Sequence, residues 1–485
     1  MFSGVNLMSV GSLQSFFEPR GVVVVGARRS FGFGYGIPLF LQKHGWGNRL
    51  YLVNPVGGEL HGQNVYKRVQ DVPSPVDLAI VIVPAEAVPG VMEEIGERGI
   101  KNVIIETAGF AETGDRGRAL QEGVKAIAMQ YRMRMIGPNC VGLVNTGNKF
   151  CSIEIVEESL TPGPLSIIAQ SGAFGNILLD YLPQCGLSIS KAVTLGNRVD
   201  VDESDVLDYL DRDPTTRVIM IYLEGTANGR RLMKSLARVT KKKPVLILKS
   251  GRTEAGKRAT ASHTGSISGQ DNIYGTAFAQ SGAIRAESLS QLIDLARVFT
   301  TQPLCQGNRL GIITTSGSLG ALSTDVAVSS GLTVPSLSSW MVNQARELSP
   351  DWMNVKNPLD VGPSGIYGKL LPMFLADPEI NMVLAIMVIP WEAVRNFKTV
   401  GFRVGDWFGD IASIREQYPD KPLVGVVVGH PEYVDDMASL CGRSVPIFTS
   451  PEGATRALAA LWSYSRARKK SGDKRSDISG VGTRS

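Results

Sequence analysis

Ten short runs rich in aliphatic and β-branched residues punctuate this chain, from GVVVVGA (21–27) through DLAIVIVP (77–84), LSIIAQSG (165–172) and VIMIYLEG (218–225) to PLVGVVVG (422–429). Longer stretches with helical periodicity separate them. A strand that is apolar at successive positions has both faces buried, which is the condition of a parallel sheet covered by helices on each side. The fold class predicted is therefore α/β, with doubly wound parallel sheets. A chain of 485 residues exceeds what one core serves, and about three domains follow at ~100–200 residues each.

Proline and glycine punctuation at Thr161 to Pro164 and at Gln302 to Gly307 places two boundaries. An internal repeat supports the second. SIIAQSGAFGNILLD (166–180) aligns without gaps on GIITTSGSLGALSTD (311–325), an offset of 145 residues, so two domains are expected to open with the same strand, turn and helix. The predicted organisation is 10–150, 161–300 and 306–465, followed by a tail at 466–485.

That tail holds seven basic side chains against two acidic ones and so accounts for the whole formal charge of +5. It is read as a disordered, solvated end, leaving no basic surface on the remainder that would suggest nucleic acid. No apolar run approaches the ~20 residues of a membrane span, and MFSGVNLMSVGSLQSFF at the N-terminus lacks the pattern of a secretory signal. A cytoplasmic protein is expected. The five cysteines, Cys140, Cys151, Cys185, Cys305 and Cys441, show no CxxC spacing, which argues for reduced thiols and against a zinc site.

The first strand runs into the glycine-rich turn Gly26-Ala27-Arg28-Arg29-Ser30-Phe31-Gly32. Glycines let backbone approach a phosphate, and a following helix N-terminus presents free N–H groups. The loop is longer than G-x-G-x-x-G, and the next strand ends in Asn54-Pro55 where a nicotinamide cofactor's ribose calls for an acid. A dinucleotide oxidoreductase is thus a minor reading. GRTEAGK (251–257) nearly spells a Walker A loop, but Arg258 follows where Ser or Thr would hold Mg²⁺. It is read as a glycine-rich loop leading to ATASHTGS (259–266), which carries His263, one of four histidines in the chain. Ser262 and Thr264 offer hydroxyl donors there, and Gly265 lets amides close on a small anion. Gln170-Ser171-Gly172 sits at a strand-to-helix turn suited to an oxyanion. Glu224 stands at the carboxyl end of a strand, the edge where open α/β sheets place ligands. An imidazole oriented by such a carboxylate can act as a nucleophile. A plain capped helix start at Ser171 and an exposed strand-end glutamate at 224 are the bland alternatives.

SHTGS behind GRTEAGK, with LGNRVDVDESDVLDYL (195–210), YLEG (222–225), IGPNCVG (136–142), ETAGFAETG (106–114), VNPVGGELHGQNVY (53–66) and NPLDVG (357–362), together resemble the alpha chain of NDP-forming acyl-CoA synthetases. These are relatives of succinyl-CoA synthetase, and the similarity is greatest to the ADP-forming acetyl-CoA synthetases. The resemblance implies a Rossmann-like CoA-binding domain followed by two flavodoxin-like domains. It implies that His263 becomes phosphorylated, that Glu224 orients it, and that Gln170, Ser171, Gly172, Ser262, Thr264 and Gly265 line its phosphate. Gly26, Ala27, Arg28, Asn54, Pro55, Pro84, Ala108, Asn139 and Cys140 fall where the family holds CoA and the acyl-phosphate. Arg28 replaces a small hydroxyl residue, and Glu106-Thr107 replaces Ile-Ser, so acyl or CoA preference is expected to differ. No ATP-grasp domain is found, so ADP or ATP with Mg²⁺ is expected on a separate ATP-grasp beta chain, in a heterotetramer of the family's kind. A catalytically silent CoA- or acyl-CoA-binding regulatory protein is the alternative.

Overall fold

The computed structural model describes residues 13–479 except 154, 156 and 265–268; the side chains of 261–264 and of 470–479 are also outside the described set. The chain divides into two compact units, Met1–Glu287 and Ser288–Ser485.

The first unit contains two seven-stranded sheets. Strands β1 (Val22–Val25), β2 (Leu50–Val53), β3 (Gly58–Leu60), β4 (Gln63–Tyr66), β5 (Leu78–Val81), β6 (Asn102–Ile105) and β7 (Arg134–Ile136) build the first, in the order β3-β4-β2-β1-β5-β6-β7. All pairs are parallel except β3 with β4. β1 feeds β2 on one side, and β5 lies on the other, so the chain reverses direction across the sheet at the carboxyl end of β1. Such a switch point leaves an open crevice between the loops that depart to either side. Every residue of β1, β5 and β6 is buried, as continuous apolar runs require.

β8 (Leu143–Asn145), β9 (Phe150–Cys151), β10 (Pro162–Ala169), β11 (Ile189–Thr194), β12 (Val218–Leu223), β13 (Val245–Lys249) and β14 (Ile284–Ala286) form the second sheet, in the order β14-β13-β12-β10-β11-β8-β9. Its switch point lies at β10, with β11 on one side and β12 on the other. β8 falls within 10–150 and β9 straddles its end, yet both extend this second sheet, because β8 pairs antiparallel with β11 through Lys191↔Asn145 and Val193↔Leu143 and β9 pairs with β8. The two sheets are clamped by charge as well: Asp200 Oδ2 accepts from Arg134 Nε and from Met135 N, both at 2.8 Å.

β15 (Leu310–Thr314), β16 (Leu359–Asp360), β17 (Met382–Ile386), β18 (Leu423–Val426) and β19 (Ile447–Phe448) make the five-stranded parallel sheet of the second unit. The helix Leu289–Thr301 belongs to this unit, with Arg297 Nη1 donating to Ile447 O at 3.1 Å. The repeat is structural: β10 ends at Ala169 and its helix starts at Gly172, while β15 ends at Thr314 and its helix starts at Gly317, each at the offset of 145. The expected disordered tail is instead partly helical. The last helix runs Pro451–Ser479, because Ala457 to Lys470 holds no glycine or proline and is rich in alanine, leucine, arginine and lysine, which favour helix. No helix of the described residues is long and apolar enough to cross a membrane.

Candidate active site

A cavity of about 890 Å³ lies along the carboxyl edges of the first two sheets. The β1 turn gives it Gly26 and Arg28, the end of β2 gives Asn54 and Pro55, and the turns after β5 and β6 give Pro84 and Ala108. From the turn after β7 come Asn139 and Cys140, and from the turn after β10 come Gln170, Ser171 and Gly172. Residues separated by as many as 171 positions, from Val25 to Gly196, thus line one cavity. Of the residues predicted to hold CoA, Ala27 is the exception. It is buried, and its carbonyl accepts from Asn54 Nδ2 at 3.1 Å while Asn54 Oδ1 accepts from Val56 N at 3.0 Å. Asn54 therefore ties the β1 turn to the β2 end rather than standing in for an acid.

Close packing explains the residue types. Gly26 has φ of +96°, and a Cβ there would lie 3.0 Å from the carbonyl carbon and oxygen of Ile82. Only glycine meets both conditions without strain. Gly196 is packed so tightly on the Pro138 and Asn139 carbonyls that a Cβ would collide with them. The LGNR and GPNC motifs therefore interlock. Asn139 itself has φ of +60° and its N–H donates to Thr107 O at 2.9 Å. Behind it, Asn197 Nδ2 donates to Glu112 Oε2 at 2.6 Å. Burial works against the Glu112 charge, but hydrogen bonds from Asn197 and from the Gly109 and Phe110 amides hold its carboxyl below the ordinary value.

Gln170, 1% exposed, links this cavity to Glu224. Its Oε1 accepts from the N–H groups of Glu224 (2.6 Å) and Gly225 (3.1 Å), and its Nε2 donates to Gly225 O (2.7 Å) and Glu203 Oε2 (3.3 Å). Arg198 Nη1 donates to the same carbonyl at 2.7 Å and lies 3.4 Å from the same carboxylate. Glu224 is 3% exposed, so the bland reading of an exposed strand-end acid does not apply. Ser171 caps the helix Gly172–Tyr181 by accepting from Phe174 N at 3.4 Å, and Gly172 and Ala173 at the helix start line the cavity. Free amides and the helix dipole there suit an anion.

The expected loop around GRTEAGK is replaced by the helix Glu254–Thr264. Alanine, lysine and arginine dominate 255–259, and Thr253 Oγ1 accepts from Gly256 N at 3.1 Å as a start signal. His263 is in the last turn of this helix. Its side chain, those of Ser262 and Thr264, and the whole of Gly265 lie outside the described residues. The thiol of Cys140 donates to Ile105 O at 3.3 Å, and burial pushes it well above the ordinary thiol range, so it is no nucleophile. Sequence reasoning assigned no role to Arg198, Glu203 or Lys67. Lys67 lines the cavity, whereas Arg198, in the loop after β11, and Glu203, the first residue of the helix Glu203–Leu210, support Gln170 and the Gly225 carbonyl it bonds. Being charged within the quoted LGNRVDVDE motif was their one available signal.

Residues 20–146 match the family model described as a CoA binding domain, and residues 162–299 match that described as a succinyl-CoA ligase like flavodoxin domain. The alpha subunit of acetate–CoA ligase (ADP-forming) I of Pyrococcus furiosus is 36% identical over 471 residues, covering 96% of this chain and 100% of that one. Acetate–CoA ligase (ADP-forming) of Methanocaldococcus jannaschii is 34% identical over 93% of this chain, which spans 63% of that longer protein. Among solved structures, dinucleotide forming acetyl-coenzyme A synthetase 1 of Ca. Korarchaeum cryptofilum, in complex with phosphate and ADP, superimposes with a TM-score of 0.84 at 31% identity, covering 97% of this chain and 99% of that one. With end-to-end identity above 30% to an alpha subunit, and both of its diagnostic domains in order, the chain belongs to the alpha-subunit family of the ADP-forming acyl-CoA synthetases.

Proposed function

We propose that the chain is the alpha subunit of an acid–CoA ligase (ADP-forming), acting reversibly on acyl-CoA, phosphate and ADP with acetyl-CoA as the reference substrate. The observation that carries this reading is the single cavity in which the glycine turn of the CoA-binding sheet faces the Gln170-Ser171-Gly172 turn of the flavodoxin-like sheet. A phosphate oxygen attacks the thioester carbonyl there, the C–S bond breaks, and CoA leaves as the thiolate, giving an acyl-phosphate. A nitrogen of His263 then attacks phosphorus, the P–O bond to the acyl group breaks, and the free acid departs. A terminal phosphate oxygen of ADP finally takes the phosphoryl group, regenerating the imidazole. Phosphoryl transfer asks mainly for positioning and charge stabilisation. Glycine turns and the start of the helix Gly172–Tyr181 supply amides, and Gln170 fixes the backbone of Glu224.

The nucleotide and Mg²⁺ are assigned to an ATP-grasp beta chain, in a cytoplasmic heterotetramer. Among the described residues no group of three His, Cys, Asp or Glu side chains could hold a metal, and no step of this reading runs through one. Arg28 and Glu106, both on the cavity wall, are assigned to acyl or CoA preference.

Incubating the chain with acetyl-CoA and labelled phosphate tests the reading. A base-stable, acid-labile label that His263→Asn abolishes is expected. A label that persists in that variant rejects the relay. CoA binding without any label, in the presence of the beta chain, supports the silent regulatory protein instead.

A further inference from the structure

Lys249 is the last residue of β13, 2% exposed, and its register partner on β12 is Leu223. The lysine is thereby buried at the strand end that leads into Glu224. Its Nζ donates to the carbonyl of Ser250 and lies 4.7 Å from the centre of the Tyr274 ring, a cation–π contact. Tyr274 in turn accepts at its hydroxyl from Thr226 N at 3.0 Å, two residues past Glu224. Ser250 is fastened to the same point, its N–H donating to Leu223 O at 3.0 Å, and the Tyr222 hydroxyl lies beside Ser250 and Glu224. The helix Glu254–Thr264 departs just after this turn.

The charges facing Lys249 come from each packed element: Glu224 on β12 and Asp271 on the helix Asp271–Ser281 attract it, whereas Arg285 on β14 and Lys257 on the helix Glu254–Thr264 repel it. Burying an ammonium is expensive, and a lysine is seldom fully buried unless a specific partner uses its charge. An apolar residue would pack on Tyr274 without that cost.

We propose that Lys249 is a positioning residue for the phosphoryl relay, its ammonium holding the Ser250 carbonyl and the Tyr274 ring and so tying down the turn from which the His263 helix departs. The inference rests on the reading of His263 and Glu224 given above. Desolvation, only partly offset by Asp271 and Glu224, brings the ammonium down to about 8. The charged form is the acting one, so the relay loses this support as pH rises through that value.

The test measures the initial rate of His263 labelling from acetyl-CoA and labelled phosphate between pH 6.5 and 9.5, in wild type, Lys249→Met and Lys249→Arg, with CoA binding as the check on folding. Wild type is expected to slow above about pH 8. Lys249→Met should be slower by about 10- to 100-fold, the range for groups that orient a reacting group from behind, and should lose the alkaline fall. Lys249→Arg keeps its charge throughout and should hold its rate across the range. Absence of label in wild type overturns the relay itself. Label in wild type with the same rate in Lys249→Met, or the same alkaline fall in Lys249→Arg, overturns the role of Lys249. Should Lys249→Met lose CoA binding through misfolding, the profile of Lys249→Arg decides alone.

Discussion

Gln170→Glu isolates the hydrogen bonds that join the two halves of the site. The substitution preserves shape and the acceptor oxygen that serves the Glu224 and Gly225 amides, but it turns the donor into a second oxygen. Two bonds are lost, one to the Gly225 carbonyl at 2.7 Å and one to the Glu203 carboxylate at 3.3 Å. A neutral bond contributes ~1 kcal/mol and one to a charged group ~1.5–3 kcal/mol. The new carboxylate also faces Glu203 across a buried gap, although the Arg198 guanidinium, already within 3.4 Å of Glu203, offsets part of that repulsion. The expected net loss is ~3 kcal/mol at neutral pH, roughly a hundredfold in the folding equilibrium. At ~2–4 °C per kcal/mol for units of about 150–250 residues, the transition of the first unit should fall by ~6–12 °C.

The pH dependence provides the internal check. A protonated glutamic acid restores a donor toward Gly225, so the folded state favours the neutral form and raises its pKa above the unfolded ~4.3. For a raised folded pKa the native contribution is intact below the unfolded value and is lost as pH rises through the folded one. The deficit should therefore be small near pH 4.5 and fully developed at pH 8. Thermal unfolding of variant and wild type in matched buffers gives that difference directly. Asp202, pushed up to about 6 by burial and by Glu203 and Asp205, titrates in both proteins and largely cancels. A deficit of the same size at both pH values, or none at pH 8, would refute the bonding scheme at Gln170.

Gly26→Ala should lower the transition by several degrees and weaken CoA, since its Cβ would press on the Ile82 carbonyl at φ of +96°, a strain of ~1–3 kcal/mol; unchanged CoA titration would remove this turn from the CoA site. Glu224→Gln keeps the backbone N–H that Gln170 holds but removes the charge, so melting should be little altered while His263 labelling slows by ~10²–10³-fold. Equal labelling rates would make Glu224 a bystander.

Much of this architecture was legible because burial on two faces writes itself into sequence. The central strands β1, β5, β10, β12, β15 and β17 are the apolar runs, and the 145-residue repeat marks two equivalent strand-turn-helix openings. Edge strands are less legible: β8 and β9 joined the second sheet through Lys191, Ala192 and Val193 of β11, pairings set by tertiary contact. The helix Glu254–Thr264 was hidden by Gly251, Gly256 and a near-Walker spacing, although Ala255, Lys257, Arg258 and Ala259 were sufficient helix formers. The basic end misled similarly, since charge density argued for solvation while its residue types favoured helix. Cavity residues could be named one turn at a time, but Glu203 and Arg198 became visible as supports of Gln170 only when β10 and β12 were adjacent.

The two copies of the repeat separate what the fold needs from what the chemistry needs. After β10, Gln170 N–H donates to Tyr222 O on β12; after β15, Thr315 N–H donates to Ile386 O on β17, both at 3.2 Å. In each copy the side chain of that residue then accepts from the N–H two positions farther on: Gln170 Oε1 from Glu224 N at 2.6 Å, and Thr315 Oγ1 from Val388 N at 2.9 Å. Glu224 and Val388 are therefore equivalent positions. A valine fills this place in the second copy with the same backbone geometry, so the switch point needs no carboxylate to form. Burying one in the first copy costs free energy that the fold alone gives no reason to spend. That copy is also the one followed by SHTGS. A charge retained where packing would accept an aliphatic residue, in the copy that carries SHTGS, supports the proposed reading in which Glu224 orients a reacting group.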